Sequence, residues 1–314
     1  MIDNFLRFRR AEVLILAVAT CLALLDCVIV VVRDVAIDGE SYARNAVVAA
    51  CLVLVGVFYR TTGRSERIAA STICAGGFIW FTMCLAAFNY LLLPAWGMQI
   101  DHHLVRLDSY LGYHWPDVVA FGAQNPLLNE AMRWAYLSTL PQFTLLVVLL
   151  GLTGRFDDLY EMIAMVTLSA SATVTFWAVF PSIGPSALFD LPADVLAVAS
   201  PIVGPDYGRT LTALLAEGAT RIAPDEAKGL VALPSYHTVL ACAAVYYCRN
   251  LKLLLPVFVV LNVIVVPAVL VHGGHHLVDI AGGVLVFAAS VALAKRFAAH
   301  RPQIAPAAAV RVAG

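Results

Sequence analysis

A chain of 314 residues that is 61% hydrophobic and only 13% charged falls far below the roughly one-quarter charged content of soluble domains, which marks an integral membrane protein. A formal net charge of −1 leaves no basic stripe to neutralise a phosphate backbone, so a nucleic-acid partner is excluded. The seven cysteines (Cys21, Cys27, Cys51, Cys74, Cys84, Cys242 and Cys248) lie in or beside apolar runs with no Cys-x-x-Cys pair, which argues against a metal or disulfide framework and for packing roles.

A spanning helix needs about 20 mostly apolar residues. Arg7, Arg9 and Arg10 precede a first apolar run at 11–32. That run is too long for a signal-peptide core and lacks a small-residue cleavage site, so a retained anchor is expected. Further runs at 45–59, 69–93, 132–152, 160–180, 235–248, 253–271 and 277–294 bring the expected spans to eight. The fold class expected is therefore all-α, a polytopic membrane helix bundle.

The positive-inside rule orients it. Arg7, Arg9 and Arg10, then Arg60, Arg64 and Arg67, then Arg249 and Lys252, and finally Lys295, Arg296 and Arg301 fall on the cytoplasmic side with both termini. Asp34, Asp38 and Glu40 fall outside, and the mixed cluster Arg155, Asp157, Asp158 and Glu161 casts no vote. Two outer segments are long. Within 96–130, the stretch from Asp101 to Leu111 alternates apolar and charged residues at helical intervals and reads as an amphipathic helix lying on the bilayer. The segment 182–233 carries scattered Pro and Gly with Asp206, Arg209, Glu217, Arg221, Asp225, Glu226 and Lys228. Its apolar patches at 188–198 and 211–215 favour a lid over the bundle mouth. The alanine-rich tail after Pro302 is expected to fray.

Three polar clusters sit at span ends and, in this orientation, on the outer face: Phe180-Pro181-Ser182-Ile183-Gly184-Pro185, Leu233-Pro234-Ser235-Tyr236-His237-Thr238 and Gly273-Gly274-His275-His276-Leu277-Val278-Asp279. On a helix the four-residue spacing of His275 and Asp279 puts both on one face. A carboxylate there binds one imidazole N–H, fixes the tautomer and leaves the other nitrogen as an oriented nucleophile. His237 is placed to supply a proton to a leaving group. Other polar residues have plainer readings. His114, His272 and His300 read as hydrated interfacial side chains, His276 as a neighbour filling an aromatic position, and Asp26 as a polar contact between helices.

The motifs Leu233-Pro-Ser-Tyr-His-Thr238 and Gly274-His-His-Leu-Val-Asp-Ile-Ala-Gly-Gly283 resemble those of the type 2 phosphatidic acid phosphatase superfamily. The pattern is nearest its inositol phosphorylceramide synthase-like branch. The resemblance implies a six-helix core over 69–298 with outer loops 96–130 and 182–233, preceded by two N-terminal transmembrane helices in 1–68 and followed by a flexible tail at 299–314. It implies a nucleophilic His275, an orienting Asp279, an acid–base His237 and a phosphate-binding Ser235. It also implies a phosphohistidine intermediate with no metal and no cofactor.

The phosphatase branch has a basic residue in the motif that here is Phe180 to Pro185, and an arginine where this chain has Val269. Both are missing here, which favours the transferase-like branch. It also leaves the phosphate cation open among Arg209, Arg221 and Lys228, with Arg106, Arg133 and His102 as further candidates. Pro234 suits a first helical turn, and the N–H groups of that turn suit an anion.

An alcohol acceptor makes the enzyme a lipid phosphotransferase; water makes it a lipid phosphate phosphatase. The expected partners are a lipid phosphate donor and an alcohol or lipid acceptor, met in a bacterial inner membrane with the site on the periplasmic face. Two other classes compete. A small ion- or proton-coupled transporter would use Asp26, His237, His275 and Asp279 as a relay, but the chain shows no repeated halves. A metalloenzyme would draw on His102, His103, His272, His275, His276 and Asp279, but no His-Glu-x-x-His pattern is present.

Overall fold

In hydrocarbon every backbone N–H and C=O must be satisfied within its own segment, so apolar runs of this length close as helices. The computed structural model describes residues 8–298; Arg7, His300, Arg301 and the expected tail at 299–314 lie outside the described residues. Among these, six helices are long and apolar enough to cross a membrane: α1 (Arg10–Arg33), α2 (Gly39–Thr61), α3 (Glu66–Leu91), α8 (Phe156–Val179), α12 (Leu255–Gly273) and α13 (Leu277–Ala298). Helices α6 (Pro126–Leu137) and α7 (Thr139–Leu152) meet at a 45° bend and make a seventh if the pair is one span.

The count differs from the expected eight because the run at 235–248 forms α11 (Tyr236–Cys248), a helix of 13 residues. At 1.5 Å per residue it is about 20 Å long, short of a hydrocarbon core of about 30 Å. It packs against α7, α8, α12 and α13, so its apolar side chains are buried by protein. Its Val239, Ala243, Ala244 and Tyr247 join Phe81 of α3, Phe143, Leu146 and Leu150 of α7, and Met162 to Val166 of α8 in the largest core cluster. The N-terminal helices dock on this core, α1 against α3, α8 and α13, and α2 against α3.

The two ends of the bundle differ in chemistry. At one end Arg60 makes a bidentate bond to Glu12, at 2.6 and 2.8 Å, and a 2.9 Å ion pair with Glu66. Glu12, Arg60 and the neighbouring Tyr160 are buried. Arg249 reaches Asp158 at 2.6 Å on the same end. The opposite end carries the connections 92–125, 180–235 and 273–277, and with them the three polar clusters of the span ends.

The segment 182–233 is folded. It contains α9 (Ala193–Ala199), α10 (Pro205–Glu217) and a short strand β2 (Arg221–Ile222), which pairs in parallel with β1 (Ala36–Ile37) of the α1–α2 connection. Ile222, Leu211 and Leu230 pack with Tyr90, Leu91 and Leu93 from the end of α3. The cap is thus seated on the bundle mouth by a small apolar core of its own.

The stretch expected to lie on the bilayer forms α4 (Asp101–Tyr110), with its polar face reversed in role. Asp101, Leu104 and Asp108, which share one helix face, are buried. The inward face therefore carries two carboxylates, and α4 docks on the protein through them. Asp26 is buried in α1, and among the described residues its Oδ1 has no hydrogen-bond partner.

Candidate active site

Ser235 is the N-cap of α11, its Oγ accepting the Thr238 N–H at 3.4 Å, the usual way of satisfying one orphan donor of a first turn. Pro234 stands one residue outside the helix, after a cis peptide bond, not in the first turn as its chemistry suggested. The Ser235 N–H donates to the Asp279 carbonyl at 3.0 Å. A Cβ on Gly283 would lie 2.5 Å from the Ser235 carbonyl. Glycine there lets α13 approach the start of α11, and this approach joins the two motifs.

The last helix starts just after the turn that bears the histidines. Gly274, at φ +58, ends α12 in the left-handed region, the ordinary glycine stop of a helix. Asp279 then sits in the first turn of α13 with its carboxylate directed back. Its Oδ2 lies 3.0 Å from His275 Nδ1 and accepts the His276 N–H at 2.9 Å. Asp279 is fully buried and His275 is 4% exposed. Nδ1 is thereby committed to the carboxylate, which leaves Nε2 as the available nitrogen.

His237, on the first turn of α11, stacks on Tyr136 of α6 with ring centroids 4.1 Å apart. His237 and His275 line one cavity of about 140 Å³ with Tyr136 and Gly273 from the bundle, and Ile202, Val203, Tyr207, Leu211 and Gly229 to Ala232 from the cap. The three residues read from sequence as nucleophile, orienter and acid–base group are thus brought together under an apolar roof. The expected lid supplies that roof.

The expected phosphate ligands are not gathered in the same way. No Lys or Arg among the described residues lines the cavity. Arg209 is exposed and pairs with Asp206 and, at 3.4 Å, with Asp190. Arg221 pairs with Asp38 at 3.3 Å and Glu226 at 3.1 Å. Both guanidiniums are drawn to carboxylates of the cap and of the α1–α2 turn. Lys228 precedes the lining residue Gly229, and its Nζ is 4.8 Å from the ring centre of Tyr207, which also lines the cavity. Ser235 is buried beneath the first turn of α11 and is spent in part on capping it.

Two histidines depart from their plain readings. His272 is buried, with its Nε2 3.1 Å from the Asn129 carbonyl, and its own carbonyl accepts the Val203 N–H of the cap. His276 is fully buried between two carboxylates of α4. Its Nδ1 lies 2.7 Å from Asp108 Oδ2, and its Nε2 is 3.5 Å from Asp101 Oδ1, an ion-pair distance longer than a good hydrogen bond. Burial alone would lower the pKa of His276, but Asp101 and Asp108, with the nearby charge of Asp279, override it and hold the imidazole at about 9. Asp101 shows the matching balance. Burial raises its pKa, while contacts with His276, the Gly184 N–H, Ser182 and Gln99 bring it below the usual carboxylate range.

Asp101 also organises the third polar cluster. It accepts from Ser182 Oγ at 2.8 Å, the Ile183 N–H at 3.1 Å and the Gly184 N–H at 2.9 Å. Gly184, at φ +85, packs so tightly on the histidine turn that a Cβ would lie 2.2 Å from the Gly274 carbonyl. All three motif loops therefore touch. Sequence reasoning missed Asp101, Asp108 and His276; the signal available was the seven-residue spacing of the aspartates around Leu104.

Among the described residues no three His, Cys, Asp or Glu side chains converge in a way suited to a metal ion. A family model described as the PAP2 superfamily matches residues 102–293. Comparison with curated proteins and with solved structures finds no match. The matched stretch begins at the second residue of α4 and ends within α13, so it contains every residue of the cavity, with His276 and Asp108, while Asp101 stands just before it.

Proposed function

The chain belongs to the PAP2 superfamily, whose chemistry is phosphatase or phosphotransferase action on lipid phosphates, and from that premise we propose that it is a membrane-embedded lipid phosphotransferase of the inositol phosphorylceramide synthase-like branch. The observation that carries the reading is the 3.0 Å contact of His275 Nδ1 with the buried Asp279 carboxylate, in a cavity that His237 also lines.

In this mechanism His275 Nε2 attacks the phosphorus of a lipid phosphoester in line, and the bond to the leaving oxygen breaks as His237 gives that oxygen its proton. Asp279 stabilises the charge that develops on the His275 ring and keeps Nδ1 protonated. The phosphohistidine is then attacked by an acceptor hydroxyl, whose proton returns to His237. Charge on the equatorial oxygens is met by the N–H groups at the start of α11. Of the three cations expected to hold phosphate, Lys228 adjoins the cavity and takes that part; Arg209 and Arg221 serve the cap. The step uses no metal. The absence of a basic residue from Phe180 to Pro185 and at position 269 supports the transferase branch, and the basic clusters on the far end of the bundle support an outward-facing site. With water as acceptor the same residues make a phosphatase.

The deciding experiment uses protein in detergent with EDTA and phospholipids labelled in the head-group phosphate, with or without an added alcohol, diacylglycerol or ceramide, for wild type and His275→Ala. An acceptor-dependent labelled lipid that His275→Ala does not form supports the transferase. Free phosphate or phospho-alcohol formed irrespective of acceptor would replace it with the hydrolase. Product formation that survives His275→Ala, or that EDTA abolishes, would overturn the phosphohistidine mechanism.

A further inference from the structure

We infer that Asp101, His276 and Asp108 form a buried charge clamp that positions His275, tying the histidine turn to α4 and to the Ser182–Gly184 turn. His275 as the reacting group rests on the function proposed above; the clamp itself rests on geometry.

Three observations carry it. First, the three side chains are essentially withdrawn from solvent, with Asp101 and His276 at 0% and Asp108 at 4% exposure. Ionisable groups are rarely buried so completely unless paired, and a buried carboxylate pair around a neutral ring would leave two charges poorly compensated. Second, besides the Ser182 and Gln99 side chains on Asp101, the clamp holds backbone next to the site. Asp108 Oδ1 accepts the Leu277 N–H at 3.1 Å, and Asp101 holds the N–H groups of Ile183 and Gly184. Third, the His275 carbonyl is fixed from the same side, by the Tyr113 hydroxyl at 2.9 Å just beyond α4. The backbone that follows the His275 side chain is thus anchored to α4 and to the residues just after it. A shift of that helix displaces the His275 ring relative to His237, which sits on α11.

The titratable and charged groups that face His276 are Asp101 and Asp108 of α4, Asp279 of α13, and Tyr113, which is close to Asp108 and Asp279. His275 is its chain neighbour. All three carboxylates favour the imidazolium. The clamp is intact while His276 is charged and loosens as the pH rises through its pKa. A group with a raised folded-state pKa contributes below its unfolded value and loses that contribution above its folded one.

The test is kcat and KM against pH from 6 to 10.5 for wild type, His276→Gln and Asp108→Asn, with thermal midpoints in detergent at each pH. Wild type is expected to lose kcat and thermal midpoint together on an alkaline limb, with KM little changed. Asp108→Asn, which leaves one carboxylate on His276, moves that limb to lower pH. His276→Gln removes the limb and lowers kcat by about 10²-fold, the loss that a misplacement of about 1 Å brings. A flat wild-type profile to pH 10 overturns the clamp even if both variants fail to fold. So does a limb that neither substitution moves. If His275→Ala retains turnover, the catalytic reading fails, and the clamp stands or falls on the pH dependence of the thermal midpoints.

Discussion

At the scale of single residues, the site is a histidine made directional by a carboxylate four residues on, in the first turn of the helix that follows. Asp279 contributes two things through one oxygen: it holds His275 Nδ1 and it caps the His276 N–H. Substitutions should separate these roles. His275→Ala removes the proposed nucleophile from the cavity wall and is expected to abolish turnover while the protein keeps its size-exclusion profile. Asp279→Asn keeps shape but loses tautomer control, with a fall in kcat of about 10²- to 10⁴-fold. An unchanged rate would reduce Asp279 to a cap. Asp279→Ala leaves a buried N–H unpaired as well and adds about 1–3 kcal/mol of destabilisation, visible as a lower thermal midpoint.

At the scale of elements, α4 is the piece whose role changes most. An amphipathic helix on a bilayer presents apolar residues inward, whereas α4 buries Asp101 and Asp108 on the face it shares with Leu104. The two faces should respond differently. Asp101→Ala strands the N–H groups of Ile183 and Gly184, the Ser182 hydroxyl and one side of His276, and is expected to lower stability by several kcal/mol at about 1–3 for each unsatisfied group. Tyr110→Ala removes a side chain that is 89% exposed and should stay within about 0.5 kcal/mol. Equal effects of the two would remove α4 from the architecture of the site. Helix α11 makes the complementary point. It is too short to span the hydrocarbon, yet it carries His237 into the cavity because α7, α8, α12 and α13 enclose it.

At the scale of the whole molecule, the bundle is polarised, with a buried ion network at one end and the cavity at the other. The network ties α1 to the α2–α3 turn and to α8 through Glu12, Arg60, Glu66 and Tyr160. Arg60→Met would leave Glu12 buried without its guanidinium, at a cost of about 3–5 kcal/mol, and replacing Glu12 by Leu in the same chain should recover most of it. Failure of that recovery would show that the network does more than neutralise itself. Orientation is testable from the same polarity. A Tyr110→Cys variant lies on the cavity end, and in a background where the exposed Cys21, Cys27 and Cys51 are replaced, it should react with an impermeant thiol reagent in intact cells. Labelling only after lysis would invert the topology.

What the amino-acid sequence determined by itself is whatever rests on local spacing and composition. Long apolar runs dictate helices because hydrocarbon offers the backbone no other partner, and the four-residue step from His275 to Asp279 brings the two into contact although only Asp279 rides α13, because the histidine turn leads straight into that helix. The Pro-Ser-x-His run marked the start of the apolar stretch that folds as α11, whereas the capping role of Ser235 came with the structure. Tertiary structure alone decided the rest. Arg209 and Arg221 have partners close in the chain in Asp206 and Glu226, but only folding adds Asp190 and Asp38 to them. His276 reads as a spare neighbour of His275 until α4, about 170 residues earlier, is laid against it. Neither pairing has a local signature, because a buried charge selects its partner by proximity in space, and that proximity comes from helices packed together for unrelated, apolar reasons.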